Sequence, residues 1–388
     1  MSTMTQTIPI TVAPVAEPGH RLFTVPVVLL LLVDFAAMSS FYLLLSVVPL
    51  YSTEKGIGSL GAGLSTGVLM FAAVAAEFVN PTLAARWGHR RLLMAGLVLL
   101  GAPALAVPAV SSLWGLMAVS VLRGFGFAMV VVAVGALAAA TFPAERRGEG
   151  MGVLGIVTML PSVITLPLGI WLVGRLGFPV VFGIAAAASL VAVGLVARLP
   201  EASGGGHSQG LLGMCRSATM RPIIVFAATA VAGGVVVAFL PSAVPPGVAV
   251  IALFAQAAAA TLTRWLAGRF CDRHGAASLL VPAVVVTAIG MGVTAATGSS
   301  LAVVAGMTVF GIGFGLAQAA SLNAMLERVP ASEYGAVSAA WNAAYDMGWG
   351  LGALGIGVVV AMLGYSAAFA VAAVLVIAIL PVAFKARD

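Results

Sequence analysis

The sequence predicts an all-α integral membrane protein of twelve transmembrane helices, arranged as two parallel, pseudo-symmetric six-helix halves. Three observations carry this. Hydrophobic residues make up 62% of the chain and charged residues 8%, with a mean hydropathy of +1.15, too little charge to hydrate a soluble surface of this size. Apolar stretches of about 20 residues, each enough to cross roughly 30 Å of hydrocarbon as a helix, recur along the whole chain. The second half also repeats the first at one constant offset.

The stretches fall at 22–49, 61–85, 91–110, 113–141, 148–174, 177–198, 221–240, 248–270, 278–297, 300–327, 334–362 and 365–384. Of 18 Lys and Arg, Lys55 and Arg175 alone fall in loops on one side, Arg123 and Arg264 lie within spans, and the other 14 lie on the opposite side. The positive-inside bias therefore puts both termini in the cytoplasm. The short basic clusters carry no interleaved aromatics, so they read as topology signals and exclude a nucleic-acid surface despite the net charge of +6. Cys215 and Cys271 both fall on the cytoplasmic side, where no disulfide is expected. The predicted organisation is a cytoplasmic tail, 1–21, lacking the pattern of a secretory signal and read as disordered; a first bundle, 22–198; a Gly/Ser-containing central loop, 199–220; a second bundle, 221–384; and a cytoplasmic end, 385–388.

The repeat has an offset of 187 residues. It maps Arg86 on Arg273, Gly88 on Gly275, Gly126 on Gly313, Pro143 on Pro330, Gly148 on Gly335 and Gly177 on Gly364. Six spans return the chain to its starting side, so the halves run parallel.

Each half carries a basic, Gly-containing loop after its second span. The second, GRFCDRHG over 268–275, supplies Gly268, Asp272, Arg273 and Gly275. The first, PTLAARWGHRR over 81–91, keeps Arg86, Gly88, Arg90 and Arg91 but has Pro81 and Ala85 where the second has Gly268 and Asp272. Together with twelve spans in two parallel halves, these motifs resemble the major facilitator superfamily over essentially the whole chain, in particular the bacterial 12-span drug:proton antiporters. The resemblance implies that the loops latch the cytoplasmic face, with glycines making the turns and arginines binding helix C-terminal carbonyls and nearby acids. Because Ala85 replaces the acid, the first latch is expected to be the weaker. LRGFGFA over 122–128 resembles the family's membrane-embedded Arg motif, and PSVITLPLGIWL over 161–172 approaches its exporter motif without the Gly-Pro pair.

A charge at the bilayer centre costs about 3 kcal/mol on insertion scales, which marks Asp34, Glu77, Arg123, Arg264 and Asp346 as functional candidates. The resemblance places Asp34 and Arg123 together on the cavity wall of the first half. A change in their separation or in water access then moves a proton on or off; the alternative is a static pair that only joins two helices. Met38 and Phe41 share the helical face of Asp34. Asn342, Tyr345, Asp346 and Trp349, at i, i+3, i+4 and i+7, put an amide, a phenol, a carboxylate and an indole on one face, suited to an amphipathic or cationic molecule or to simple helix packing. Glu77 and Arg264 are related by the same 187-residue offset and either meet across the cytoplasmic gate, or Arg264 snorkels to the surface. Gln256 and Gln318 complete the polar groups expected along the path, with Arg264 also assigned to gating.

There is no metal-ligand spacing, no phosphate-cradling loop and no extramembrane domain to hydrolyse ATP, and all four histidines lie in tails or loops. The expectation is not an enzyme but a cofactor-free secondary transporter: a proton-coupled exporter of drug-like or natural-product molecules working by alternating access. The alternative is a symporter or facilitator importing a small, anionic metabolite. Its partners are the substrate, protons and the lipid bilayer of a bacterial plasma membrane, and the expected state is a monomer.

Overall fold

A computed structural model describes residues 22–143, 146–201, 217–330 and 333–386. The expected tail 1–21, residues 202–216 of the central loop, the terminal pair 387–388 and the side chain of Asp272 lie outside the described residues.

The described chain is helical, with no strand. Its long helices are α1 (Val25–Glu54), α2 (Gly58–Trp87), α3 (His89–Ala109), α4 (Leu113–Thr141), α5 (Arg147–Leu176), α6 (Phe178–Val196), α7 (Ser217–Ala243), α8 (Pro246–His274), α9 (Ala276–Thr294) and α10 (Ser300–Leu326). A last helical stretch, Tyr334–Lys385, is long enough to cross a bilayer twice and is broken at Gly364, where φ is 81° and ψ is 177°. That backbone is open to glycine and costly for any other residue. It divides the stretch into α11 (334–363) and α12 (365–385), so the described residues hold twelve helices of spanning length. α7 starts at Ser217, four residues inside the segment assigned from sequence to the central loop.

The internal repeat reappears as geometry. Gly88 and Gly275 both turn with φ of 80°, and Gly177 has φ of 78° where its counterpart Gly364 has 81°. Ser112 caps α4 by accepting from the Gly115 N–H at 3.2 Å, and Ser299 caps α10 by accepting from Ala302 at 3.3 Å. Gly124 lets α4 close on the Leu69 carbonyl of α2, as Gly311 lets α10 close on the Gln256 carbonyl of α8. Each of these pairs is separated by 187 residues, so the offset governs both turn chemistry and helix packing.

In the first half α1 packs on α5 and α6, and α4 on α2 and α3; in the second α7 packs on α11, and α10 on α8 and α9. The halves meet through α2 with α11 and α5 with α8, and α1 also touches α7. The face bearing Arg86, Arg90, Arg91, Arg269, Arg273 and Arg328 is also the face on which the described residues begin and end, at Leu22 and Ala386; it is called the basic face below, and the opposite one the far face. Close contacts between the halves lie toward the far face. Gly63 and Gly67 of α2 leave no room for a Cβ against Ala353, Leu354 and Gly350 of α11, and the Ser242 hydroxyl of α7 donates to Thr53 of α1 at 3.4 Å. At the basic face, by contrast, the side-chain bonds of Arg90 to the Leu199 carbonyl (3.4 Å), Arg328 to the Ala386 carbonyl (2.8 Å) and Arg221 to the Lys385 carbonyl each stay within one half. The closest helix contacts between the halves thus gather toward the far face.

Candidate substrate cavity

Between the halves lies a cavity with two lobes. The first, about 650 Å³, is lined by Met38 and Tyr42 of α1, Glu77 of α2, Phe127 of α4, Thr158 and Met159 of α5, Arg264 of α8, Gln318 of α10, and Trp341, Asn342, Tyr345 and Asp346 of α11. The second, about 620 Å³, shares Tyr42, Met159, Arg264, Gln318 and Tyr345 and adds Gln256, Phe310, Phe314 and Trp349.

Periodicity places the α11 residues. Asn342, Tyr345, Asp346 and Trp349 project from one face because they are spaced by three and four residues. Their aromatic members form a continuous wall. Trp341 stacks on Phe226 with centroids 4.3 Å apart and planes at 7°, Tyr345 follows Trp341 at 6.2 Å, and Trp349 follows Tyr345 at 5.0 Å. The wall is held in place by the Trp341 indole N–H, which donates to Ser321 at 2.9 Å. Small residues give it space: a Cβ at Gly233 would press on the Trp349 indole nitrogen at 2.7 Å.

The charged candidates distribute unequally. Glu77, Arg264 and Asp346 face the cavity. Arg264 does not snorkel: its guanidinium points inward, donates to the Gln318 side-chain oxygen at 3.4 Å and stands 5.7 Å from the Trp341 ring. It makes no ion pair with Glu77, whose Oε2 has no hydrogen-bond partner. Asp34 is buried just behind the wall and accepts a 2.6 Å bond from the Thr158 hydroxyl, which itself lines the first lobe. Phe41 also sits one layer back, stacked on Phe127 at 4.0 Å.

Arg123 does not meet Asp34. It is 1% exposed, bonds the Leu100 carbonyl of α3 at 3.3 Å, leaves its Nη2 without a partner and makes no ion pair with Asp34. The local cause lies in α3. After Gly101 that helix tightens to a 3-10 form over Ala102–Ala109, and Pro103 has no N–H to offer the Leu100 carbonyl. Arg123 fills that gap inside the first half. Its repeat counterpart, Phe310, does line the second lobe.

The loop residues assigned to gating sit at the basic face. Gly88 and Gly275 make the turns. Arg90 holds the carbonyl just beyond the end of α6, while Arg86, Arg91 and Arg273 are exposed. Gly268 has open space around it and lies one residue before Arg269, which stacks on Trp265 at 3.8 Å.

Sequence reasoning missed Tyr42, Phe127, Thr158, Met159 and Trp341. Tyr42 was within reach, being eight residues beyond Asp34 and so on its face. Nothing in the apolar α5 distinguishes Thr158 from other buried hydroxyls that bond their own helix, as Thr165 does to the Pro161 carbonyl.

A family model described as Major Facilitator Superfamily matches residues 30–353 and, separately, 223–388. A search of curated proteins by sequence matched none of them. Among solved structures, the chain is similar to the nucleoside transporter NupG, with TM-score 0.76, 15% identity, and coverage of 93% of this chain and 98% of that one. It is also similar to a bacterial homologue of the human lysosomal transporter Spinster, inward-facing and occupied (0.79, 14%, 93% and 96%), and to a POT family transporter in complex with a thioalcohol-conjugated peptide (0.76, 12%, 92% and 95%). At such identities the likeness establishes the fold. With the matched model spanning most of its length, its repeat preserved in three dimensions and a cavity held between its halves, the chain belongs to the Major Facilitator Superfamily and is a multi-pass membrane transporter.

Proposed function

We propose that the protein is a proton-coupled exporter of drug-like or natural-product small molecules, working by rocker-switch alternating access. The observation that carries this is the inter-half cavity, walled by stacked aromatics, provided with Glu77 and Asp346, and flanked toward the far face by the close contact of α2 with α11. The moving bodies are residues 22–198 and 221–384, joined by 199–220. The positive-inside bias orients both termini, and the open side of the cavity, to the cytoplasm of a bacterial cell. The unit is a monomer, since the whole cavity is built by one chain.

Asp34 takes the proton. Thr158 bonds the carboxylate and borders the cavity, so cavity water stands one side chain away. In the cycle, Asp34 is protonated from outside as substrate leaves, the halves rock back, and proton loss inside accompanies binding of the next substrate. Arg86, Gly88, Arg90, Arg91, Gly268, Asp272, Arg273 and Gly275 act in the alternate state, in which the basic face closes.

The test is transport in proteoliposomes. A proton gradient should drive substrate in the opposite direction to the protons and collapse with an ionophore. Flux in the same direction as the protons would instead support the second reading, uptake of an anionic metabolite, which is favoured by one observation: Arg264 faces the cavity with no carboxylate paired to it.

A further inference from the structure

The offset of 187 residues pairs Glu77 with Arg264, so the repeat places opposite charges at equivalent positions of α2 and α8. Both face the cavity, yet they do not neutralise each other. Arg264 is occupied by Gln318 and the Trp341 ring, and it belongs to both lobes, whereas Glu77 and Asp346 belong only to the first. The first lobe therefore holds charges of both signs, and the second holds the cation alone.

One buried polar atom at each end lacks a partner. At the acidic end, Glu77 Oε2 is unbonded, and Asp346, 5% exposed, lies beside Glu77 with no ion pair. At the other end, the Trp349 indole N–H, on a residue 6% exposed, meets no acceptor, and Gln256 and Arg264 line the same lobe. Buried polar groups without partners are costly, and a ligand that supplies the partners recovers that cost. Between the two ends runs the Trp341–Tyr345–Trp349 wall, with Trp341 in the first lobe, Trp349 in the second and Tyr345 in both.

We propose that the cavity takes a zwitterion with an aromatic middle, its ammonium toward Glu77 and Asp346, its carboxylate or other oxyanion toward Arg264 and the Trp349 N–H, and its ring against Tyr345. The inference rests on the transporter reading and narrows it. It also unites two features that otherwise favour different substrates, the paired acids and the unpaired arginine. The groups facing the acid pair are Tyr42 from α1, Thr158 with Asp34 behind it from α5 and α1, Arg264 from α8 and Tyr345 from α11; Arg264 is the one cation among them.

Three matched probes test it on the purified full chain by intrinsic tryptophan fluorescence or calorimetry: 4-(2-aminoethyl)benzoate, a zwitterion; 2-phenylethylamine, the cation alone; and 4-ethylbenzoate, the anion alone. The zwitterion should bind at least about tenfold more tightly than either relative, because each end adds a charge-assisted contact. R264Q should lower the zwitterion to the affinity of the cation without weakening the cation, and E77Q with D346N should lower it to that of the anion. Equal binding of cation and zwitterion, equal binding of anion and zwitterion, or binding of none of the three overturns the proposal, and these wild-type comparisons do not depend on how the variants fold. Proton-driven transport is scored separately. A zwitterion that binds but is not moved by a proton gradient refutes the coupling reading and leaves the site assignment standing, whereas gradient-driven transport of a simple cation with no preference for the zwitterion does the reverse.

Discussion

Arg123 gives its Nε–H to the Leu100 carbonyl at 3.3 Å, and the carboxylate that sequence reasoning assigned to it, Asp34, is bonded instead by Thr158 at 2.6 Å. The two charges serve different joints. Arg123 ties α4 to α3 where Pro103 leaves a carbonyl without its helical donor, while Asp34 ties α1 to α5 at the edge of the cavity. One Nε–H bond contributes about 1.5–3 kcal/mol, and the unpartnered Nη2 offsets about 1–3 kcal/mol of it. Arg123→Met, similar in length and apolar, removes the unpartnered Nη2 but leaves the Leu100 carbonyl without a donor, so it should fold with a loss of about 1–3 kcal/mol and show an unchanged dependence of transport on pH. Thermal unfolding in detergent and proton-driven uptake measure both quantities. A variant that folds but loses its response to pH would return Arg123 to the coupling mechanism.

Asp34→Asn separates proton coupling from binding. The amide keeps the shape and can still accept from Thr158, but it cannot carry a proton. Substrate binding and substrate-for-substrate exchange should persist, while accumulation driven by a proton gradient should fall to background. Thr158→Val removes the hydroxyl donor and should move the pH midpoint of transport, which Thr158→Ser should restore. An Asp34→Asn protein that still accumulates substrate with the parent's pH profile eliminates Asp34 as the carrier.

The architecture was readable because its signals are local and repeated. Span length comes from composition, and the 187-residue offset lies in glycines whose backbone conformation no other residue adopts cheaply, such as Gly177 and Gly364. The polar face of α11 was readable for the same reason, since helical spacing alone gathers Asn342, Tyr345 and Asp346 into one lobe. Spacing does not say which neighbour a long side chain reaches. Arg123 could turn to α1 or α3, and a missing donor at Pro103 of another helix decides it. Arg264 sits about ten residues from the end of α8, a depth equally suited to snorkelling, and turns inward because Gln318 and Trp341 receive it. Which face of the bundle is closed depends on the balance between two packings of one sequence, and no local pattern encodes that difference.

Gly364 offers a stability test. It joins α11 to α12 at φ 81° with no atom near where a Cβ would stand, so Gly364→Ala adds backbone strain and no clash. The expected loss is about 1–2 kcal/mol, read as a lower unfolding temperature. Gly177→Ala, the repeat counterpart at φ 78°, should cost a similar amount. Gly355→Ala, in the interior of α11 with equally open surroundings, should be neutral or slightly stabilising, because alanine favours helix. Equal effects at positions 364 and 355 would contradict the strain argument.

The α2–α11 seam should control which side of the carrier is open. Gly67 lies against the side chain of Leu354, with contacts for an added Cβ of 2.7–2.8 Å, and near the Gly350 carbonyl at 3.2 Å. Because these residues lie toward the far face, bulk at Gly67 penalises only the state in which that face is shut. Overpacking of this kind costs about 1–3 kcal/mol, which shifts a two-state equilibrium by roughly 5- to 150-fold. Gly67→Val should move the population toward the state open at the far face. The measurement uses a single cysteine at position 38 in a Cys215→Ser, Cys271→Ser background, labelled with a membrane-impermeant thiol reagent from either side of the membrane. In the parent, Met38 borders the cavity and labelling should come from the basic face. With Gly67→Val it should fall there and rise from the far face, whereas Gly135→Val, on α4 with open surroundings, should leave the pattern alone. A folded Gly67→Val protein that labels like its parent would show that the seam does not set the conformational balance.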